Sequence, residues 1–514
     1  MLKTNGKTYY HYCLRKKTIF TILTFLLITL SFSFAYQPVK IPDKRFNEVR
    51  TKITQMIDSG KIPSLAVAVA KDGKIIWLEA FGWADREKKL KATPETIYPL
   101  ASLSKSMMAT GLMVLVDRGL VKLDDPVEKY IAPAKLKIYE GKSSDLKVIH
   151  LLSMMGGIPH GSVCYHEPHT PLPITEFISR YIISVFPPGE VYEYSNYSMG
   201  VPQAIIANVT GKSLKEFMSS EVFGPLGMKR TFVKYPPGAK NVAVKYYSDD
   251  TPAPHIYFGP LGGAGFYSSA YDLVKYGMYY LKNPLPDQKK IFRDEVIDKM
   301  HKVQYKHIPN AMMGLGWGCA EIDQGLNWIV SNGRIGGANS NISLVPSKNL
   351  AVVCLTNTSK SITDQMAIEI IDVIIPGFAE KANTFMEKYE TEHKPKSYTP
   401  TPQFTGKWEG KIKTYKDEIP VTMSFQVDGD IHIQLNNQYS TLLNNAGVLN
   451  NDLRGEFMGK IPNEQGFSYH HQISVYLKMK DTKLYGYITS YFETEKGNFA
   501  IPSYIYLIKK TSLL

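Results

Sequence analysis

Cysteine is scarce in this 514-residue chain, four in all, and the four carry no pattern. Cys13 lies in an N-terminal segment expected to be removed, which leaves Cys164, Cys319 and Cys354, an odd number set far apart. That excludes a disulfide framework and the short cysteine spacings of a structural metal site. Cys354, inside the apolar run NLAVVCLTN, reads as a small core residue. Long apolar runs are missing after residue 35, so no later segment is long and apolar enough to span a bilayer. Runs of Lys and Arg are missing too. The formal net charge of +13 falls to +8 once Lys3, Lys7, Arg15, Lys16 and Lys17 are set aside, and the rest of the excess is scattered. With no basic stripe and no aromatic interleaving, nothing points to nucleic acid as a partner, while weak contact with an anionic cell-envelope surface stays open.

What is present begins at the N-terminus. Those five basic residues, with no acid among the first 35, precede the apolar run TIFTILTFLLITLSFSF and the small-residue site Ser33-Phe34-Ala35. This is the pattern of a signal peptide over residues 1–35, cleaved after Ala35, and it implies a periplasmic or secreted protein. The 17-residue run from Thr18 to Phe34 reaches the lower edge of spanning length, so an uncleaved membrane anchor is the competing reading.

At this length a chain divides into more than one folded unit. From Lys44 to Gly60 the apolar residues Phe46, Val49, Ile53, Met56 and Ile57 recur at helical spacing, and Gly60 closes the helix. Two strand-like runs follow, joined by Asp72-Gly73, a hairpin signal. Helices are expected at Asn196 to Val209, Leu214 to Phe223 and Ala270 to Leu281, and paired strands return in GLGWGCAEI, NWIVSNGRIGG, NISLVPSKN and LAVVCLTN. The pattern predicts an α+β domain over 36–385 whose antiparallel sheet draws strands from both ends, with a helical middle packed on it. The polar, proline-bearing stretch 386–403 reads as a linker. From Phe404 to the C-terminus short alternating runs separated by Asp, Gly and Asn turns predict a small β-barrel of about eight strands.

The residues that can carry chemistry fall in three places. In YPLASLSKSMMATGLMVLVDRG a lysine stands in the first turn of a mostly apolar helix, where the helix dipole disfavours it by about 0.3 to 1 kcal/mol. Lys105 shares a face with Ser102, three residues back, whereas Ser104 and Ser106 are its sequence neighbours and point elsewhere, as lining or surface residues. Ser102, at the helix start, can turn its hydroxyl outward with a spare backbone N–H beside it. The second place is FPPGEVYEYSNYSMGVPQAII, where a loop projects the Tyr194 hydroxyl and the Asn196 amide ahead of an apolar helix. With 33 tyrosines in the chain, Tyr-x-Asn alone is weak. The third is SNGRIGGANSNISLVP, a strand ending in Arg334-Ile335-Gly336-Gly337, whose glycines would let a substrate backbone lie against a sheet edge. His160, His166 and His169 cluster in GIPHGSVCYHEPHT, which reads as an ordinary proline-bearing loop rather than a metal site.

Taken in order, these segments resemble the serine β-lactamase and penicillin-binding-protein superfamily, in particular its class C β-lactamase and D-alanyl-D-alanine peptidase branch. The resemblance covers about Phe46 to Ile375 and runs through IPSLAVAVAKDGKII, Ser102-Leu103-Ser104-Lys105, LDDPVEKYI, LLSMMGGIP, PPGEVYEYSN, AGFYSSAYDL, GLGW and RIGG. The tail from Phe404, with Gly406-Lys407-Trp408, is similar to the lipocalin-like barrel that some members carry. The resemblance implies a β-lactamase/transpeptidase-like sheet flanked by helices, an all-helical subdomain, and a secreted serine hydrolase that forms an acyl-enzyme on a small-molecule or peptide substrate, with no cofactor and no metal. It implies that Ser102 is the nucleophile, Lys105 its activating partner and Tyr194 the proton shuttle. Asn196, Arg334, Gly336 and Gly337 would bind substrate, and the Ser102 and Gly337 N–H groups would form an oxyanion hole. Two departures bear on substrate. Arg334 stands where relatives begin the third motif with Lys or His and cannot relay a proton, and Met154-Met155 replaces a polar pair beside the site. Both point away from efficient β-lactam hydrolysis. Arg334 also motivates the competing reading, a non-catalytic envelope protein that binds cell-wall fragments; no oligomeric state follows from the sequence.

Overall fold

The computed structural model describes residues 43–306, 312–462 and 470–510; the expected signal peptide lies outside them. A 3-10 turn, Lys44–Phe46, runs into the helix Asn47–Asp58, and Gly60 stops it at a φ of +72°. Phe46, Val49 and Ile53 are buried, as their spacing predicts. Strands Ser64–Lys71 and Lys74–Asp85 follow, joined by Asp72 and Gly73 at φ 51° and 75°, the two left-handed residues that a two-residue hairpin requires.

The first sheet has seven antiparallel strands in the order Gly318–Asp323, Leu326–Ile335, Ala338–Val345, Leu350–Thr356, Ser64–Lys71, Lys74–Asp85 and Leu90–Lys91. The first long strand thus pairs with the last, Val67 opposite Cys354. Ser64–Lys71 is covered on both faces. Leu65, Val67 and Val69 face the helices Asn47–Asp58, Thr363–Ile374 and Phe378–His393, and full burial of each contributes about 1.5 to 3 kcal/mol. Ala66, Ala68 and Ala70 face the other side, where small side chains let the helix Ala270–Tyr280 come close; an added Cβ on its Gly277 would stand 3.0 Å from Ala351.

Between the two halves of the sheet the chain is largely helical, with Ser104–Asp117, Ile174–Tyr181, Val201–Thr210 and Ala270–Tyr280 as the longer pieces. Ser104–Asp117 is buried from Ser104 to Leu115, as expected for a helix apolar all round. Thr110, in its middle, bonds the Ser106 carbonyl at 2.8 Å and meets the Tyr276 and Tyr280 hydroxyls at 2.7 and 2.6 Å.

The C-terminal strands form a second antiparallel sheet, curled as a half-barrel around Trp408, Met423, Phe457, Ile473 and Leu507. Two features differ from the sequence expectation. The stretch 386–403 is helix through His393, and Lys396–Ser397 then pairs with Gly447–Val448, so the half-barrel starts inside the expected linker. The half-barrel is also not a separate module. Its strand Gly497–Lys509 pairs with Ser162–His166 of the helical region, Asn498 opposite Cys164, and Phe492 and Phe499 enter that region's core. A further apolar cluster joins Ile183, Val185 and Phe186 to Tyr476, Tyr485 and Tyr504.

Candidate active site

Ser102 lies in the 3-10 turn Ala101–Leu103 that opens the helix Ser104–Asp117. Ala101 is left-handed, φ 48°, which costs a non-glycine residue about 1 to 3 kcal/mol. Its surroundings hold it there. Leu100 N–H donates to the Phe266 carbonyl at 2.8 Å, Ser340 Oγ donates to the Leu100 carbonyl at 2.6 Å, and Phe266 N–H donates to Ser104 Oγ at 3.0 Å. The strand Leu326–Ile335 presses on the turn at Gly333, where an added Cβ would stand 2.1 Å from Leu100 O and 2.6 Å from Ser102 N. No side chain fits there. Ser104 and Ser106 are fully buried backbone partners, not surface residues, with Ser106 Oγ donating to the Leu103 carbonyl at 2.9 Å.

Lys105 is buried. Its Nζ lies 2.9 Å from Ser102 Oγ, 2.5 Å from Asn196 Oδ1 and 2.8 Å from the Gly263 carbonyl. All three are neutral acceptors, which offset the dipole's penalty without supplying a countercharge. Burial accordingly pulls the Lys105 pKa below the ordinary lysine value, with Tyr194 acting the other way.

The loop around Ser195 sets the other two groups. Ser195 Oγ donates to the Pro159 carbonyl at 2.9 Å and accepts from Ser198 N–H at 3.1 Å. Tyr194 is thereby turned outward, 38% exposed, with Lys105 Nζ 4.6 Å from its ring centroid. His160 stacks on Tyr194, 5.7 Å between centroids and 21° between planes. Burial and the Lys105 charge push the imidazole down to about 4, so it is neutral. Neither His160 nor Gly263 is a predicted site residue. The Gly262-Gly263 pair is the signal that marks the second: an added Cβ on Gly263 would stand 2.9 Å from Asn196 Cβ.

The Met154-Met155 segment holds this loop through its backbone. Glu193 N–H donates to the Met154 carbonyl at 2.9 Å and Gly189 N–H to the Met155 carbonyl at 2.7 Å, while both methionine side chains are fully buried. Glu193 itself accepts from the half-barrel's Tyr487 hydroxyl at 2.9 Å, and burial pushes its carboxyl up to about 7.

The structure brings Ser102, Lys105, Tyr194 and Asn196 together, but it does not bring the Arg334 side chain to them. Along Leu326–Ile335 side chains alternate between faces. Ser331 and Gly333 are buried, whereas Asn332 and Arg334 reach the opposite face and bond the two oxygens of Asp364, at 3.1 and 2.5 Å. Asp364 belongs to the helix Thr363–Ile374, which covers that face. Gly336 and Gly337 form the hairpin turn. The Gly337 N–H is already donated to Ser359 Oγ at 2.7 Å, which removes it as an oxyanion donor.

Comparison with known proteins gives the family and the fold. A family model described as Beta-lactamase matches residues 49–372. A beta-lactamase of Escherichia coli K12 is 28% identical over 373 residues, which cover 66% of this chain and 94% of that protein. Protein flp of Staphylococcus aureus is 28% identical over 321 residues, covering 60% of this chain and 62% of its own length. Among solved structures, an octameric penicillin-binding protein homologue from Pyrococcus abyssi superposes with a TM-score of 0.56 at 23% identity, covering 89% of this chain and 99% of that one. That likeness of fold therefore extends beyond residue 372 into the C-terminal sheet.

Proposed function

The chain belongs to the beta-lactamase family, and from that premise we propose that it is a serine acyl-transfer hydrolase opening an amide or ester bond through an acyl-enzyme. The observation that carries this reading is Lys105, buried among three neutral acceptors with Ser102 Oγ at 2.9 Å. A lysine with a depressed pKa can give up its proton and then accept the serine's. As the Ser102 proton passes to Lys105, Oγ bonds to the substrate carbonyl carbon and the carbonyl oxygen becomes an oxyanion. Collapse breaks the bond to the leaving group, which takes a proton by way of Tyr194. Water then attacks the acyl carbon, gives a proton back through Tyr194, and the Ser102 oxygen leaves and recovers its hydrogen. Asn196, whose carbonyl oxygen is taken by Lys105, keeps its NH2 for a substrate carbonyl.

The Ser102 N–H is one oxyanion donor in this scheme. The strand register supports the backbone N–H of Arg334, not Gly337, as the other. Ile335 and Ala338 close the hairpin, so ladder alternation turns the Arg334 N–H to the open edge, which Gly318–Asp323 covers only as far as Val330. Loss of one such donor costs about 2.7 to 4 kcal/mol of barrier in other enzymes. The pattern in residues 1–35 supports action outside the cytoplasm on a small-molecule or peptide substrate. The binding-only reading drew on a free Arg334 guanidinium, and that group sits on Asp364. A hydrolysis screen over nitrocefin, p-nitrophenyl esters and L- and D-amino-acid amides tests the proposal. Turnover that Ser102→Ala abolishes is expected; turnover unchanged in Ser102→Ala would overturn it.

A further inference from the structure

Tyr194 projects from a loop whose two flanking residues are anchored to different parts of the molecule. On its C-terminal side Ser195 Oγ donates to the Pro159 carbonyl, within the helical region. On its N-terminal side Glu193 is held twice. The Met154 carbonyl takes its N–H at 2.9 Å, and the half-barrel takes its side chain, where the Tyr487 hydroxyl donates to Glu193 Oε1 at 2.9 Å. Glu193 thus points to the half-barrel and Tyr194, the next residue, to Lys105.

The half-barrel end of this link is fixed as well. Tyr487 sits in the strand Lys483–Thr494, directly opposite Tyr476 on one neighbouring strand and Tyr504 on the other. Tyr476 meets its ring edge-on at 5.5 Å between centroids and donates its own hydroxyl to Asp452 at 2.8 Å. Tyr504 donates to Glu140 at 2.5 Å. Phe186, seven residues before Glu193, packs on Tyr476 and Tyr487 at 5.3 and 6.2 Å between centroids, and Val191 joins the same apolar cluster. The segment leading to Tyr194 therefore rests on a row of tyrosines that are themselves tied down.

The Glu193–Tyr487 bond is not needed to dock the half-barrel. The pairing of Gly497–Lys509 with Ser162–His166, the Phe492 and Phe499 rings, and Glu140 with Lys483 and Tyr504 hold it elsewhere. Nor is a carboxyl an efficient fastener here, because burial opposes its charge and an apolar contact would carry no such penalty. What the hydrogen bond adds is direction, at the residue before Tyr194.

We infer that Glu193 and the half-barrel's Tyr487 are positioning residues for Tyr194: the hydrogen bond between them fixes where the Tyr194 hydroxyl stands, so the C-terminal half-barrel governs proton delivery to the leaving group without touching it. The role assigned to Tyr487 rests on the acyl-transfer reading, in which Tyr194 hands that proton on. A misplacement of about 1 Å can cost about 10²-fold in rate.

The test compares two esters of one acid, using the full chain. p-Nitrophenolate is a stable anion and leaves p-nitrophenyl butyrate without a proton, whereas ethanol leaves ethyl butyrate only as the Tyr194 proton arrives. Tyr487→Phe removes the hydroxyl and keeps the ring. It should lower kcat/KM on ethyl butyrate by about tenfold to a hundredfold while changing that on p-nitrophenyl butyrate by less than about threefold. Glu193→Ala should give the same selective loss, and Glu193→Gln, which keeps an acceptor, should retain the wild-type ratio of the two. Equal losses on both esters, or a lowered Tm with the ratio unchanged, would mark the bond as merely structural and overturn the assignment. A wild type inactive on both esters would count against the acyl-transfer reading instead. The positioning is then read from hydrogen exchange over residues 190–198, which Tyr487→Phe should speed, and unchanged exchange would overturn it.

Discussion

In the proposed mechanism Lys105 acts through what surrounds it, and an arginine in its place would keep the charge while losing the proton transfer. Lys105→Arg should lower kcat/KM on an ester substrate by about 10²- to 10⁴-fold, the usual worth of a general base, measured against Ser102→Ala as the floor. Gly333→Ala should be nearly as damaging for a steric reason, since its Cβ would collide with Leu100 O at 2.1 Å and Ser102 N at 2.6 Å. A loss of about 1 to 3 kcal/mol in chemical denaturation, together with collapse of activity, is the expected result. At this scale much of the site is legible in the sequence, because Ser102 and Lys105 meet through helical spacing, a local rule. Arg334 is not legible in the same way. Which face a strand residue takes is set by parity, and Arg334 has the parity that turns its side chain away from the serine and onto Asp364. His160 owes its place to tertiary packing, for which the sequence carries no periodic signal.

Elements show a second division of labour. The loop bearing Tyr194 and Asn196 is tied to the Met154-Met155 segment through backbone bonds and to the half-barrel through Glu193 and Tyr487. The Glu193 carboxyl sits at about 7, above its ordinary value. A raised carboxyl stabilises the fold fully below the unfolded value near 4.5, and that stability is lost as pH rises through about 7. Glu193→Gln keeps an acceptor for Tyr487 and removes the charge. Its Tm relative to wild type should therefore rise between pH 5 and pH 8, by roughly 2 °C or more, and a constant difference across that range would refute the assignment. The elements themselves are read well from sequence where periodicity is strong, as at Asn47–Asp58 and the Asp72-Gly73 hairpin. The stretch 386–403 misleads because its prolines and polar residues look like a tether, although helix and half-barrel strand continue through it.

At the scale of the whole molecule the two sheets share a core. Phe499 packs edge-on to Tyr165 at 5.6 Å and stacks on Phe492 at 5.2 Å, and Tyr139 stacks on Tyr504 at 4.2 Å. Glu140 accepts from Lys483 at 2.6 Å and from the Tyr504 hydroxyl at 2.5 Å across the same interface. Composition and turn spacing reveal a C-terminal β unit, but its docking depends on aromatic residues scattered over both parts, so only the structure reveals one body. Calorimetry should accordingly give one cooperative unfolding transition, which Phe499→Ala shifts as a whole by about 3 to 5 kcal/mol of stability; two separate transitions would contradict a shared core. The central claim is that Ser102, activated by Lys105, becomes acylated. Intact-mass analysis and peptide mapping after treatment with a fluorophosphonate probe test it most directly. The account predicts one adduct per chain on the peptide containing Ser102, absent in Ser102→Ala and formed far more slowly in Lys105→Arg, whereas an unlabelled wild type, or an adduct that persists in Ser102→Ala, would contradict it.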